Sequence, residues 1–260
     1  MSTVDDRTAL FLAAVCAQTY RQFERPDGAF VVPQGYRRLA TVTARLFGFV
    51  RERFGFILES DRHVLIAFRG TTSGADAISD MIARQTPFRF VSGAGDTHRG
   101  FTSIYASARK QLLDILKHLS PSKTLLITGH SLGGALATLC ALDMAVHSPF
   151  KHPIVCTYGA PRVGNPAFAS AFNRTVVNSR RIFIEDDIVP KLPPVLYTSP
   201  RTKKIYVYQH VKTGDALRLR GGSASVNHAL GSYFAELSRR DPKYAESLCS
   251  ENPGFCPESG

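Results

Sequence analysis

Between residues 124 and 138 the chain reads TLLITGHSLGGALAT, so Gly129 and Gly133 bracket Ser131 in a G-x-S-x-G pattern. The segment before the bracket is β-branched and apolar, as in a buried strand. After it, Ala135, Leu136, Leu139 and Leu142 recur at helical spacing. A strand that turns sharply into a helix lifts the residue at the bend onto a strained, exposed apex. Side chains at the flanks would collide with the strand and the helix, so glycine stands there. The pattern alone is common; its strand-then-helix context makes Ser131 a candidate nucleophile for acyl transfer.

A serine hydroxyl becomes nucleophilic only when a positioned imidazole accepts its proton, with a carboxylate behind that imidazole. After such a bend the partners follow in the order acid, then histidine, from loops at the carboxyl ends of later strands. Of eight histidines, this order leaves His210 and His228. His130 lies inside the bend and is read as scaffold. His210 shares an alternating segment with Tyr206 and Tyr208 and reads as structural. His228 follows a Gly/Ser-rich loop and precedes an apolar helix, and is preferred as the base. For the acid, Asp143 sits in the helix after the bend and Asp215 comes late. Asp186 and Asp187 stand where a strand ends, and spacing alone does not separate them. An oxyanion needs backbone donors, each contributing roughly 3 to 4 kcal/mol. The Leu132 N–H is one, and the Gly70-Thr71 loop after an earlier strand is the natural second. Thr71 also suits the N-cap of whatever follows.

These groups need a scaffold. Strands are expected at 54–60, 63–68, 124–128, 153–158, 180–184 and 205–211. Helices are expected at about 5–20, at 104–119, from the bend to 147, at 168–177 and at 226–248, while Pro190, Pro193 and Pro194 exclude regular structure around them. Alternating strands and helices imply an α/β fold with a mostly parallel sheet and helices on its faces. Without repeats or linker-like composition, the expectation is one domain over 1–260.

The chain has 32 Lys and Arg against 21 Asp and Glu, a net charge of +11. The basic residues are scattered apart from Arg201-Thr202-Lys203-Lys204, and no nucleic-acid motif accompanies that cluster, so a solvated loop is the favoured reading and nucleic acid is not an expected partner. Basicity of this kind suits transient contact with an anionic lipid surface. No apolar run reaches membrane-spanning length, and no basic-then-apolar leader heads the chain as given, which favours the cytoplasm while leaving secretion open. Of five cysteines, Cys140 and Cys156 read as buried small hydrophobes. Cys249 and Cys256 bracket a turn and could pair, with Cys16 as an alternative partner.

Five segments, Phe68-Arg69-Gly70-Thr71, GHSLGGALA at 129–137, YGAPRVGNPAFA at 158–169, DIVPKLPP at 187–194 and NHALGSYF at 227–234, together resemble the lipase class 3 family of α/β-hydrolases. They occur in the family's order, over about 54–234. The resemblance implies Ser131 as nucleophile, Asp187 as acid and His228 as base, with Thr71 and Leu132 at the oxyanion positions. It implies hydrolysis of carboxylic esters, typically acylglycerols, with neither metal nor organic cofactor. It also places a lid at about 73–88, where Ala77 stands in place of a frequent tryptophan and Ile78, Met81, Ile82, Phe88 and Phe90 offer an apolar underside. A phospholipase A1 or short-chain esterase is the alternative within hydrolases, and a catalytically silent lipid-binding protein the alternative outside them. Oligomeric state is not legible from the sequence.

Overall fold

Successive side chains of a strand point to opposite faces, so a wholly apolar strand needs cover on both. In β3 (His63–Phe68), Val64, Ile66 and Phe68 enter one core while Leu65 and Ala67 enter another. The computed structural model describes residues 4–46, 50–71, 83–219 and 222–257. Among them the central sheet has seven strands, in the order β1 (Arg37–Leu46), β2 (Val50–Glu59), β3, β6 (Thr124–His130), β7 (Ile154–Tyr158), β8 (Ser179–Ile184) and β11 (Gly214–Leu217). The first three are antiparallel neighbours; from β3 to β11 the strands run parallel. Two short hairpins stand outside it: β4 (Gln85–Pro87) with β5 (Asp96–His98), and β9 (Leu196–Thr198) with β10 (Ile205–Val207).

Helices α2 (Arg99–Leu116), α3 (Leu132–His147) and α4 (Pro166–Thr175) close one core against the sheet. Helices α1 (Asp6–Glu24), α6 (Leu230–Ser238) and α7 (Pro242–Glu251) close the other. Residues 132–145 of α3 are all buried, which explains a helix apolar on every side. Local chemistry fixes the starts. Asp5 caps α1 by accepting from the Thr8 N–H at 2.7 Å, and Asn165 caps α4 by accepting from the Phe168 N–H at 2.9 Å.

The expected α/β architecture is present, with departures at its margins. β1 and β11 were not anticipated. Each is a sheet edge with few buried residues, so neither carries the apolar run that marks an interior strand. The helix expected over 226–248 is three: α5 (Ala224–His228), α6 and α7. Ala229 adopts an extended backbone between the first two. Pro242, lacking an N–H and crowding the preceding turn, must open a new helix, which Asp241 caps. The strand expected over 205–211 ends at Val207. Of the expected lid, residues 73–82, including Ala77, Ile78, Met81 and Ile82, lie outside the described residues; 83–88 contain β4, and Phe88 and Phe90, expected on the underside of a lid, pack instead on the core against Phe168 and Tyr105. A disulfide joins Cys249 to Cys256. Cys16, Cys140 and Cys156 are buried free thiols, and Cys16 Sγ lies 3.2 Å from Thr128 Oγ1. No helix among the described residues is long and apolar enough to cross a membrane.

Candidate active site

Parallel strands deliver their carboxyl ends to one edge, and there the candidate residues gather: Gly70 and Thr71 after β3, Ser131 after β6, Gly159 after β7 and Asp187 after β8. Ser131 has φ 59° and ψ −129°. A left-handed backbone costs an L-residue roughly 1 to 2 kcal/mol. The Ser131 N–H donates to the Tyr158 carbonyl at 2.9 Å and its own carbonyl accepts from the Gly134 N–H at 2.9 Å, which hold the bend in place. A Cβ on Gly129 would stand 2.2 Å from the Gly133 carbonyl oxygen, and one on Gly133 would stand 2.2 Å from that of Phe68. Glycine is the residue that fits both places.

At the apex, His228 Nε2 lies 2.9 Å from Ser131 Oγ, and His228 Nδ1 lies 2.7 Å from Asp187 Oδ2. All three side chains are buried. The carboxylate can only accept, so Nδ1 carries the proton and Nε2 is free to accept from the serine hydroxyl, the arrangement a general base requires. Asp187 is further fixed by the Tyr233 hydroxyl, which donates to Oδ2 at 2.6 Å, and by the Val189 N–H, which donates to Oδ1 at 2.9 Å. Asp186, which spacing left level with Asp187, is exposed. Burial, and then the charge of Asp187, push the Tyr233 phenol well above its ordinary range, so it remains a donor.

A second layer supports the first. The His228 carbonyl sits 2.9 Å from His130 Nε2, so that nitrogen must bear the proton; His130 Nδ1 then accepts from the Tyr20 hydroxyl at 2.7 Å. Burial, with His228 nearby adding to it, holds His130 well below the usual imidazole range, and it stays neutral. The scaffold role expected of His130 thus has a definite content: it holds the backbone of His228. On the other flank, the buried Arg69 guanidinium lies over the Phe23 ring at 3.7 Å and pairs with Glu52 at 3.2 Å. It also donates to the Gly70 carbonyl at 2.8 Å. A Cβ on Gly70 would meet Tyr20 Oη at 2.2 Å and Ser131 Cβ at 2.9 Å, so this loop passes directly beside the candidate nucleophile.

Thr71, the next residue, has a buried Oγ1 with no hydrogen-bond partner among the described residues. Leu132 opens α3, where first-turn N–H groups have no intrahelical acceptor and the helix dipole favours negative charge. Both positions can therefore present donors toward an anion at Ser131. Any cap from Thr71 to the segment after it falls outside the described residues.

The remaining candidates stand elsewhere. His210 Nε2 donates to the Pro190 carbonyl at 2.7 Å. Asp143 accepts from Tyr105 at 2.5 Å and from Arg109 at 2.6 Å. Asp215 pairs with Arg180 at 2.6 Å and Arg240 at 2.9 Å. Tyr233, Tyr20 and Arg69 were assigned no role from sequence. For Tyr233 a signal existed: a tyrosine in an otherwise apolar helix needs a partner for its hydroxyl when buried.

The family model described as Lipase (class 3) matches residues 65–197, just over half of the chain. A lipase of Rhizomucor miehei is 38% identical over 146 residues, covering 54% of this chain and 40% of that protein. Phospholipase A1-II 4 of Oryza sativa subsp. japonica is 31% identical over 201 residues, covering 66% of this chain and 50% of that protein. The chain thus spans at most half the length of these two relatives. The crystal structure of a lipase from Rhizopus microsporus var. chinensis superposes with a TM-score of 0.64 at 27% identity, covering 86% of this chain and 77% of that one. The matched stretch contains Ser131 and Asp187 but ends before His228, which the fold returns to them. Over residues 65–197, from within β3 through the bend at Ser131 to the segment after Asp187, the chain belongs to the lipase (class 3) family.

Proposed function

We propose that this chain is a serine carboxylic ester hydrolase of the triacylglycerol lipase type. Ser131 is the nucleophile, His228 the general base and acid, and Asp187 the carboxylate that orients the imidazole. The observation that carries the reading is the hydrogen-bond chain Ser131–His228–Asp187, at 2.9 and 2.7 Å, on a strained bend. In the reaction, Ser131 Oγ bonds to the acyl carbon as its proton passes to His228 Nε2. The N–H groups of Leu132 and Thr71 receive the carbonyl oxygen as its charge grows. Collapse breaks the ester C–O bond, the imidazolium protonates the departing alcohol, and an acyl-enzyme remains. Water, deprotonated by the same imidazole, then releases the fatty acid and restores the serine.

Phospholipase A1 activity is the second reading, supported by the similarity to the rice phospholipase. Rates on triacylglycerol emulsion, phosphatidylcholine and nitrophenyl esters of graded chain length separate these substrates, with Ser131→Ala as background. Fastest turnover on the emulsion supports the lipase reading and fastest turnover on phosphatidylcholine the alternative. No ester turnover above the Ser131→Ala background overturns both.

A further inference from the structure

The β9–β10 hairpin carries side chains that the chemistry at Ser131 does not use. Val207 stands opposite Leu196, and Ile205 opposite Thr198, so these four share one face, while Tyr197 and Tyr206 stack on the other at 6.4 Å. The first face is open to solvent: Leu196 is 65% exposed, Ile205 60% and Val207 40%. Val195, just before the hairpin, is 53% exposed. Scattered exposed aliphatics are ordinary, but Leu196, Ile205 and Val207 on one face of a small hairpin form a patch.

Charge decides what this patch suits. From residue 188 to residue 214 there is no Asp or Glu, while Lys191, Arg201, Lys203, Lys204 and Lys212 all fall there. Arg201, Lys203 and Lys204 are exposed at the hairpin tip. The tip is ordered by bonds from the Lys203 N–H to the Ser199 carbonyl and from the Ser199 N–H to the Lys204 carbonyl, both 2.9 Å. The base of the hairpin is tied down as well. The Tyr208 N–H donates to the Val195 carbonyl at 2.8 Å, Gln85 Nε2 to the Val207 carbonyl at 2.7 Å, and the Tyr208 hydroxyl to the Ala83 carbonyl at 3.1 Å. A rigid apolar face with a cationic tip complements an interface of acyl chains beneath anionic headgroups.

We propose that the hairpin spanning residues 195–207 docks this protein on anionic lipid surfaces, with Leu196, Ile205 and Val207 entering the interface and Arg201, Lys203 and Lys204 meeting the headgroups. The proposal extends the esterase reading, because the hairpin follows directly on the acid loop that begins at Asp187.

The test is co-sedimentation with vesicles of non-hydrolysable diether phosphatidylcholine, alone or with about one quarter diether phosphatidylglycerol, at low and high salt. Binding is expected to favour the anionic vesicles and to weaken with salt. Arg201→Gln/Lys203→Gln/Lys204→Gln is expected to lose roughly a hundredfold in affinity for them, about fivefold per cation. Leu196→Asn/Ile205→Asn is expected to weaken binding to both vesicle types. Both variants retain wild-type turnover of a soluble short-chain ester. Equal binding of wild type to the two vesicle types overturns the charge argument, and wild-type binding by the Leu196→Asn/Ile205→Asn variant overturns the apolar face. Vesicle binding is read on ether lipids, so it does not depend on catalysis. Absent turnover of the soluble ester speaks against the hydrolase reading alone.

Discussion

Tyr233→Phe removes one oxygen and leaves the ring, so its effect isolates what that hydroxyl does. In the wild-type protein the hydroxyl donates to Asp187 Oδ2 at 2.6 Å and accepts from the Ile184 N–H at 3.1 Å. Phenylalanine can keep the edge-on packing against Tyr158 and the contact with His130, so no cavity opens. A hydrogen bond to a charged group contributes about 1.5 to 3 kcal/mol, and an orphaned buried N–H costs about 1 to 3 kcal/mol. A stability loss of about 3 to 5 kcal/mol is expected by denaturant titration. Two donors to Asp187 remain, from His228 and Val189, so the carboxylate stays but can rotate. If the lost bond's worth appears in the transition state, kcat on a soluble ester falls roughly ten- to a hundredfold with KM unchanged. A folded variant with kcat within about twofold of wild type, or a defect confined to KM, would refute the reasoning.

Three further outcomes follow from the same geometry. Asp187→Asn should cut kcat by roughly three to four orders of magnitude, whereas Asp186→Asn, at an exposed position, should change it less than about twofold; single-turnover rates on one ester decide, and the reverse order contradicts the assignment. Gly70→Ala would press a methyl against Tyr20 Oη and Ser131 Cβ and displace the Thr71 donor, lowering kcat by roughly a hundred- to a thousandfold while the circular-dichroism spectrum is retained. Near-wild-type turnover there excludes the Gly70-Thr71 loop from the oxyanion site. Burial, then Arg181, lowers His210 to about 3, against about 6.5 in the unfolded chain. Between those values the unfolded chain binds a proton that the folded one does not, so this contribution is intact above pH 6.5 and is lost as pH falls, by about 1.4 kcal/mol per unit. His210→Gln keeps a donor for Pro190 and should flatten the stability decline between pH 6.5 and 4.5 by about 2 to 3 kcal/mol; parallel curves would contradict it.

The parts of this molecule legible in its sequence are those where local chemistry and burial agree. The bend at Ser131 needs glycines on both sides for steric reasons, and the strand and helix around it are apolar enough to mark themselves. The preference for His228 over His210 follows from loop placement and chain order, and the fold sets His228 against Ser131. Asp186 and Asp187 differ by one position at a strand end, and only the path of the turn makes one buried and the other exposed; spacing carries no such information, and the family resemblance supplied the choice. The edge strands β1 and β11 escaped notice because an edge has little apolar pattern. The breaks in the closing helix were unequally visible: Pro242 announces one, whereas Ala229 leaves the helix so that the His228 carbonyl can meet His130 across the fold. Supporting contacts join distant elements or depend on a bend: Tyr233 in its apolar helix signals that its hydroxyl needs a partner but not that the partner is Asp187, and nothing local reports the bond from Arg69 to the Gly70 carbonyl.

The most direct test of the central assignment is covalent. A serine-directed alkyl phosphonate ester transfers its phosphorus to an activated hydroxyl, and peptide mass mapping locates the adduct. One adduct per chain on Ser131, formed slowly or not at all in His228→Ala and absent in Ser131→Ala, is the predicted result. Modification at any other residue, or equal labelling rates with and without His228, would contradict the proposal that these groups act as one nucleophilic unit.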